Sequence, residues 1–210
     1  MASAIWERQA FPVQMNRTVG RWAKGLPMSG FRPPAKSVNI LTRWRRGVQD
    51  WRIGIGYDLH AVATGRPLRL GGVTVPCDIG LQGHSDADIV LHAVIDALFG
   101  AAGLPDIGEH FPDHDPAWRG TDSRVLLRTA LQEVLGEGWT VHNVDVIIVT
   151  ERPRLREHKG AIRSSLAGLL SVPEGRISVK AKTCEGFDAI GNGRAMACQA
   201  AVLIRRPLTV

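Results

Sequence analysis

Between residues 52 and 60 the chain alternates. Ile53, Ile55, Tyr57 and Leu59 fall on one side, and Gly54, Gly56, Asp58 and His60 on the other. A period of two predicts a strand, and on a strand the D-x-H pair, Asp58 and His60, shares one face. Apolar positions over 68–75 predict two short strands turning at Gly71 and Gly72, with 79–83 a loop beyond them. Residues 84–99 change period and predict a helix. Ser85 has N-cap chemistry, and Asp88 three residues on completes a capping-box spacing with Asp for Glu. Asp86 and Asp88 suit the positive end of the helix dipole. Ile89, Leu91, Val94, Ile95 and Leu98 carry too much apolar mass for a fully exposed helix. Asp88, His92 and Asp96 recur every fourth residue, so they share a face. That face is either a solvated polar stripe or a metal-ligating His supported by acids.

Gly100 and Gly103 end this helix. A long acidic loop anchored by prolines and Phe111 covers 104–116. A second amphipathic helix is predicted over 123–135. A strand follows over 141–150, with Val144, Val146, Ile148 and Thr150 on one face and Asp145, Ile147 and Val149 on the other. Pro153 is expected to open a third helix reaching about residue 170, with Leu155, Ile162, Leu166 and Leu169 as its apolar side. Strands over 177–183 and 195–204 flank a glycine-containing loop over 186–193. Strands mixed with three helices predict an α+β fold, a mixed sheet with the three main helices packed on one face.

At 210 residues and 44% hydrophobic, the chain can bury a real core. Its +6 charge is unevenly spread. Residues 1–50 hold nine basic and two acidic residues, whereas 51–210 hold 17 basic and 18 acidic. The excess belongs to the N-terminal stretch and says little about what the rest binds. Two segments follow: a basic extension over 1–50, expected to be disordered, and a folded domain over 51–206. The extension reads three ways: a transit peptide, a start site set too early with translation beginning near Val48, or a nucleic-acid-binding tail. Three cysteines, Cys77, Cys184 and Cys198, with no C-x-x-C, argue against a disulfide framework or a cysteine zinc site and fit a reducing compartment. No apolar run approaches membrane-span length.

Asp58, His60 and His92 together make two imidazoles and one carboxylate. Three protein ligands with an open fourth position is a catalytic zinc pattern, and iron in a facial triad is the chemical rival. Four motifs then occur in order: G-x-G-x-D-x-H over 54–60, G-H-S-D-x-D over 83–88 followed by His92, D-I-G-x-x-F-P-D over 106–113, and K-T-x-E over 182–185. On these motifs the stretch 52–205 resembles the 2-C-methyl-D-erythritol 2,4-cyclodiphosphate synthase family of the non-mevalonate isoprenoid pathway.

The resemblance implies a cyclisation in which 4-diphosphocytidyl-2-C-methyl-D-erythritol 2-phosphate releases CMP. It implies zinc, or another divalent transition metal, on Asp58, His60 and His92, with Mg²⁺ or Mn²⁺ on Glu185. His84 and Thr183 match positions that steady the transition state, and Ser85 matches a contact to the 2-phosphate. Asp106, Gly108, Phe111 and Asp113 match the loop around the methylerythritol. The stretch 150–156, with Thr150 and Arg154, matches the cytidine and diphosphate contacts together with Lys182. It implies a homotrimer with active sites between subunits, a small nucleotide as substrate, no nucleic acid or membrane partner, and a bacterial cytoplasm. A plastid is the alternative if residues 1–50 are a transit peptide. Many members carry G-R-G-E at the mouth of the trimer's central channel. Here Gly191-Asn192-Gly193-Arg194 stands there, so Asn192 lacks that charge and Arg194 lies two residues away. Two rivals remain open. A zinc phosphoesterase would yield free phosphate, and binding of nucleic acid by the tail would depend on salt and vanish without residues 1–50.

Overall fold

The computed structural model describes residues 49–208. The expected basic extension therefore lies almost wholly outside the described residues. A long strand β1, Gln49–Thr64, opens the fold. The hairpin β2, Leu68–Leu70, and β3, Val73–Val75, turns at the two predicted glycines. After β4, Ile79–Leu81, come helix α1, Ile89–Ala102, the short α2, Ile107–His110, and α3, Ser123–Gly136. The rest is β5, Thr140–Val149, α4, Lys159–Leu170, β6, Ile177–Lys182, the short α5, Asp188–Gly191, and β7, Ala195–Pro207. The main sheet has the order β4-β1-β7-β5-β6. Only β5 and β6 run parallel, and the other pairs are antiparallel. A parallel pair needs a crossover, which α4 supplies. The fold is thus the expected α+β arrangement with a mixed sheet.

The alternation in β1 is real, but its faces carry an inverted load. Gly54 and Gly56 are buried, whereas Ile53, Ile55 and Tyr57 are 67%, 63% and 58% exposed. Helix α1 explains the glycines. A Cβ on Gly54 would lie 1.9 Å from the Ala97 carbonyl oxygen, and one on Gly56 would lie 2.0 Å from that of Ala93. Only glycine lets strand and helix backbones approach this closely. The same contact sets His92 beside Asp58. On the helix-covered side Val144, Val146 and Ile148 of β5 and Ala200, Val202 and Ile204 of β7 are buried with the apolar side of α1.

Four expectations are corrected. Ser85 does not cap α1. Asp88 does, its Oδ1 accepting from Val90 and Leu91 N–H at 3.1 Å. The same buried carboxylate accepts from Gly71 N–H at 2.8 Å and Gly72 N–H at 2.6 Å, so the helix starts where it can also hold the β2–β3 turn. Residues 84–87 form a loop instead. Pro153 does not open a helix either. The Leu155 carbonyl accepts from both His158 and Lys159 N–H in a turn, and α4 begins only at Lys159. Within 79–83, β4 pairs with β1 through Val62 and Leu81. The loop over 104–116 contains α2 and runs into a 3₁₀ turn, Pro116–Trp118, and that over 186–193 contains α5. No helix among the described residues is long and apolar enough to cross a membrane.

Candidate active site

Two neighbouring elements build the first half of the site. Strand β1 presents Asp58 and His60 on its helix-covered face, and α1 brings His92 over them. Asp58 Oδ2 lies 3.0 Å from His60 Nε2 and 2.9 Å from His92 Nδ1. All three candidate ligand atoms lie within 4.8 Å of one another. Burial works to raise the Asp58 carboxyl, but the hydrogen bonds and fields of His60 and His92 outweigh it and hold the group far below the usual carboxylate range. For His60 burial works downward, and the bond and charge of Asp58 raise the imidazole above its ordinary value.

The partner of His60 tests whether a metal fits. His60 Nδ1 faces the Gln82 carbonyl, which can only accept, so Nδ1 carries the hydrogen. Nε2 then turns its lone pair on an anionic oxygen. Two such atoms repel unless a proton or a cation lies between them. Two imidazole nitrogens and one carboxylate oxygen, converging beside an open cleft, suit a divalent transition metal.

The cleft is a cavity of about 230 Å³ lined by Asp58, His60, His84, Ser85, His92, Gly108, Phe111 and Asp113 among others. The structure thus brings together eight residues that the sequence singled out. His84 Nε2 stands 3.7 Å from Asp113 Oδ2 across its exposed rim. Phe111 is buried and packs edge-on against Trp118 at 5.0 Å. Asp106 stands outside this cavity. Its carboxylate caps α2 by accepting from Glu109 N–H at 3.0 Å, and it lines a separate pocket with Tyr57 and Asp96. Asp88 and Asp96 do not support His92 as the helical spacing suggested. Asp88 holds the hairpin, and Asp96 accepts from Ile107 N–H at 2.9 Å, which ties the 106–113 loop to α1. Burial raises the Asp96 carboxyl, with Asp106 and Asp58 adding to the shift, although the Ile107 N–H opposes it.

A second cavity of about 530 Å³ collects Thr150, Arg154, Lys182 and Thr183, with Arg156, Lys159 and Glu151. Thr183 Oγ1–H donates to Glu185 Oε1 at 2.9 Å. No residue is common to the two cavities, so Thr183 and Lys182 are not joined to the His/His/Asp group within one chain, and Glu185, the hydrogen-bond partner of Thr183, lines neither cavity. Asn192 caps α5, its amide donating to the Asp188 carbonyl.

Sequence reasoning missed several supporting groups. Ser123 Oγ lies 2.9 Å from His92 Nε2, beside Ser85 Oγ, which the sequence did single out and which lies 3.1 Å from the same atom. Arg66 donates to the carbonyls of Gly83 and Ser85 and pins the loop before α1. Glu151 Oε1 accepts from Cys184 N–H at 2.8 Å and shapes the 183–186 turn. Nothing local marks these residues, because each acts across a long sequence separation. Asp86, inside the G-H-S-D stretch, was the only available signal.

A family model described as the YgbB family matches residues 51–205. The chain belongs to this family. Its relatives include a 2-C-methyl-D-erythritol 2,4-cyclodiphosphate synthase of Gloeobacter violaceus, 54% identical over 155 residues, which are 74% of this chain and 95% of that protein. The enzyme of the same name from Salinibacter ruber is 52% identical over 154 residues, 73% of this chain and 98% of that protein. Among solved structures, a CDP-bound form of 2C-methyl-D-erythritol-2,4-cyclodiphosphate synthase superposes with a TM-score of 0.68 at 41% identity. That match covers 73% of this chain and 99% of that one. The resemblance read from the four motifs is therefore borne out at the level of the family. These bacterial relatives give no support to the plastid alternative.

Proposed function

We propose that this chain converts 4-diphosphocytidyl-2-C-methyl-D-erythritol 2-phosphate into 2-C-methyl-D-erythritol 2,4-cyclodiphosphate and CMP. A 2-phosphate oxygen forms a bond to the β-phosphorus, the bond from that phosphorus to the bridging oxygen breaks, and CMP leaves with the bridging oxygen. The observation that carries this reading is the convergence of Asp58, His60 and His92 beneath the His84, Ser85 and 106–113 rim. No protein nucleophile is required, so the protein's work is positioning and charge stabilisation.

Zinc at Asp58, His60 and His92 would supply Lewis acidity toward a phosphate oxygen. Glu185 would take Mg²⁺ or Mn²⁺ with the diphosphate, as a single carboxylate suits a hard, largely hydrated cation. Ser85 Oγ accepts from Ala87 N–H at 3.1 Å, which leaves its own proton free for the 2-phosphate at the cleft wall. His84 and Thr183 steady the charge that develops on the phosphates. Gly108, Phe111 and Asp113, with Asp106 anchoring α2, hold the methylerythritol. Thr150, Arg154 and Lys182 receive the cytidine diphosphate part, where Lys and Arg match its charge.

Substrate must then touch both cavities, which needs a neighbouring copy. Trp51, Ile53, Ile55, Tyr57 and Leu59 form an exposed apolar row on β1, a surface suited to burial against copies of the same chain. A homotrimer with the metal cavity of one subunit facing the basic cavity of the next meets that need. The folded domain is the 51–206 stretch, with Gln49 and Asp50 already paired in β1, the residues before them are an extension, and the setting is a bacterial cytoplasm.

Phosphorus NMR of the protein with substrate, zinc and magnesium tests the reaction. CMP formed in step with a pair of cyclic diphosphate doublets is the expected result. Inorganic phosphate without the cyclic product would favour a phosphoesterase and end this reading.

A further inference from the structure

His92 belongs to a chain of polar atoms that runs away from the cleft into the protein. Its Nδ1 faces Asp58, and its Nε2 lies 2.9 Å from Ser123 Oγ. Ser123 is the first residue of α3 and is fully buried. Its hydroxyl lies 2.5 Å from Asp86 Oδ1, and its backbone N–H donates to that same oxygen at 3.2 Å. Arg69 Nε stands 3.9 Å from the other Asp86 oxygen.

Proton counting decides the direction of this chain. A serine hydroxyl has one hydrogen to donate, whereas an ionised carboxylate can only accept. At 2.5 Å the Ser123 hydrogen must lie toward Asp86, or two oxygen lone pairs would face each other. Ser123 Oγ is then an acceptor toward His92, so Nε2 must carry the hydrogen. The lone pair of the neutral ring is therefore on Nδ1, the atom that points at Asp58. Ser85 Oγ does not change this result. It already accepts from Ala87 N–H, and its own hydrogen can reach Ser123 Oγ at 3.3 Å or the cleft.

We infer that Ser123 and Asp86 are positioning residues that lock His92 in its Nε2–H tautomer and so aim Nδ1 at the metal. Gln82 does the same for His60 through a backbone carbonyl, which no side-chain substitution can remove. The relay on His92 is built from side chains and is open to mutation. It also gives the G-H-S-D stretch a second role: Ser85 faces the cleft, while Asp86, one residue on, anchors the far side of the metal ligand. Groups that orient a ligating histidine typically change metal affinity by about 10- to 100-fold when removed. The inference rests on the metal reading of Asp58, His60 and His92 given under the proposed function.

The test measures zinc affinity by competition with a chromogenic chelator, in the full chain and in Ser123→Ala, Ser123→Thr, Asp86→Asn and His92→Ala. Circular dichroism reports folding in each. Ser123→Ala should bind zinc about 10- to 100-fold more weakly. Ser123→Thr, which keeps the hydroxyl, should recover most of that loss. Asp86→Asn should fall between them. In nitrogen-15 NMR of the zinc-loaded wild type, the His92 ring should show a protected Nε2–H, which exchanges faster in Ser123→Ala. The wild-type spectrum needs no variant to fold, so it decides the matter even if Ser123→Ala is unstable. A wild-type His92 bearing its hydrogen on Nδ1 overturns the inference, as does Ser123→Ala binding zinc within about twofold of wild type. If His92→Ala abolishes binding in that second case, the metal site stands and only the relay falls. If zinc binds the wild type and His92→Ala equally, the metal reading itself has failed.

Discussion

The two cavities differ in almost every physical respect. The first is acidic and imidazole-rich, half-buried between β1 and α1, and held by a contact so close that it admits only glycine on the strand. The second is more open and basic, with Arg154, Arg156, Lys159 and Lys182 around the ends of β5 and β6. The chemistry of the first suits a cation, and that of the second an anion. The substrate of the proposed function would need both, yet one chain leaves them separate. The proposed neighbouring copy would remedy both the missing connection and the exposed apolar row on β1.

The contrast can be broken most severely at the strand–helix contact. Gly56→Ala would drive its Cβ to 2.0 Å from the Ala93 carbonyl, so α1 must shift as a unit. We expect a loss of about 3 kcal/mol or unfolding outright, read as a drop in denaturant midpoint. A change at the chemistry is gentler on the fold. Asp58→Asn should leave circular dichroism unchanged while zinc content disappears and kcat falls by about 100-fold or more. It should not alter CMP binding, which the proposed function places in the other cavity.

Acid should act on the first cavity alone. Asp58 raises the His60 pKa above its unfolded value, so the proton-bound pair contributes stability below the unfolded value and loses it as pH rises through the folded one. Zinc must displace that proton, so its affinity should rise with pH across this window. Below the folded pKa it should fall about tenfold per pH unit for the one proton displaced, as measured by chelator competition. The smallest expected effect lies in the basic cavity, where Lys182 is exposed. Lys182→Ala should weaken CMP binding by about 3- to 10-fold in calorimetry, with zinc affinity unchanged.

How much of this was legible in the sequence depended on range. The alternation over 53–60 located Asp58 and His60 on one face because a strand's side chains obey a period of two whatever surrounds them. It could not tell which face is buried, since Gly54 and Gly56 are core residues only once α1 lies on them. The helix was legible, but its cap was not. Ser85 and Asp88 have equal cap chemistry, and Asp88 won because its second oxygen also holds Gly72 N–H, 16 residues back. The same limit hid Ser123, whose partners His92 and Asp86 lie 31 and 37 residues away. Pro153 misled because proline suits a first helical turn, whereas here the chain makes a further turn through Leu155 before α4 can begin.

The claim that the two cavities serve one reaction across copies has a direct test. Asp58→Asn disables the metal cavity, and Thr183→Ala with Lys182→Ala disables the basic one. Each variant alone should be nearly inactive. Coexpressed in equal amounts, they should assemble at random, and mixed trimers should contain one site made of two intact halves. The mixture should then recover about a quarter of wild-type turnover. Activity no greater than the sum of the two inactive variants, in trimers proven to be mixed, would contradict the account, because each site would then have to lie within a single chain.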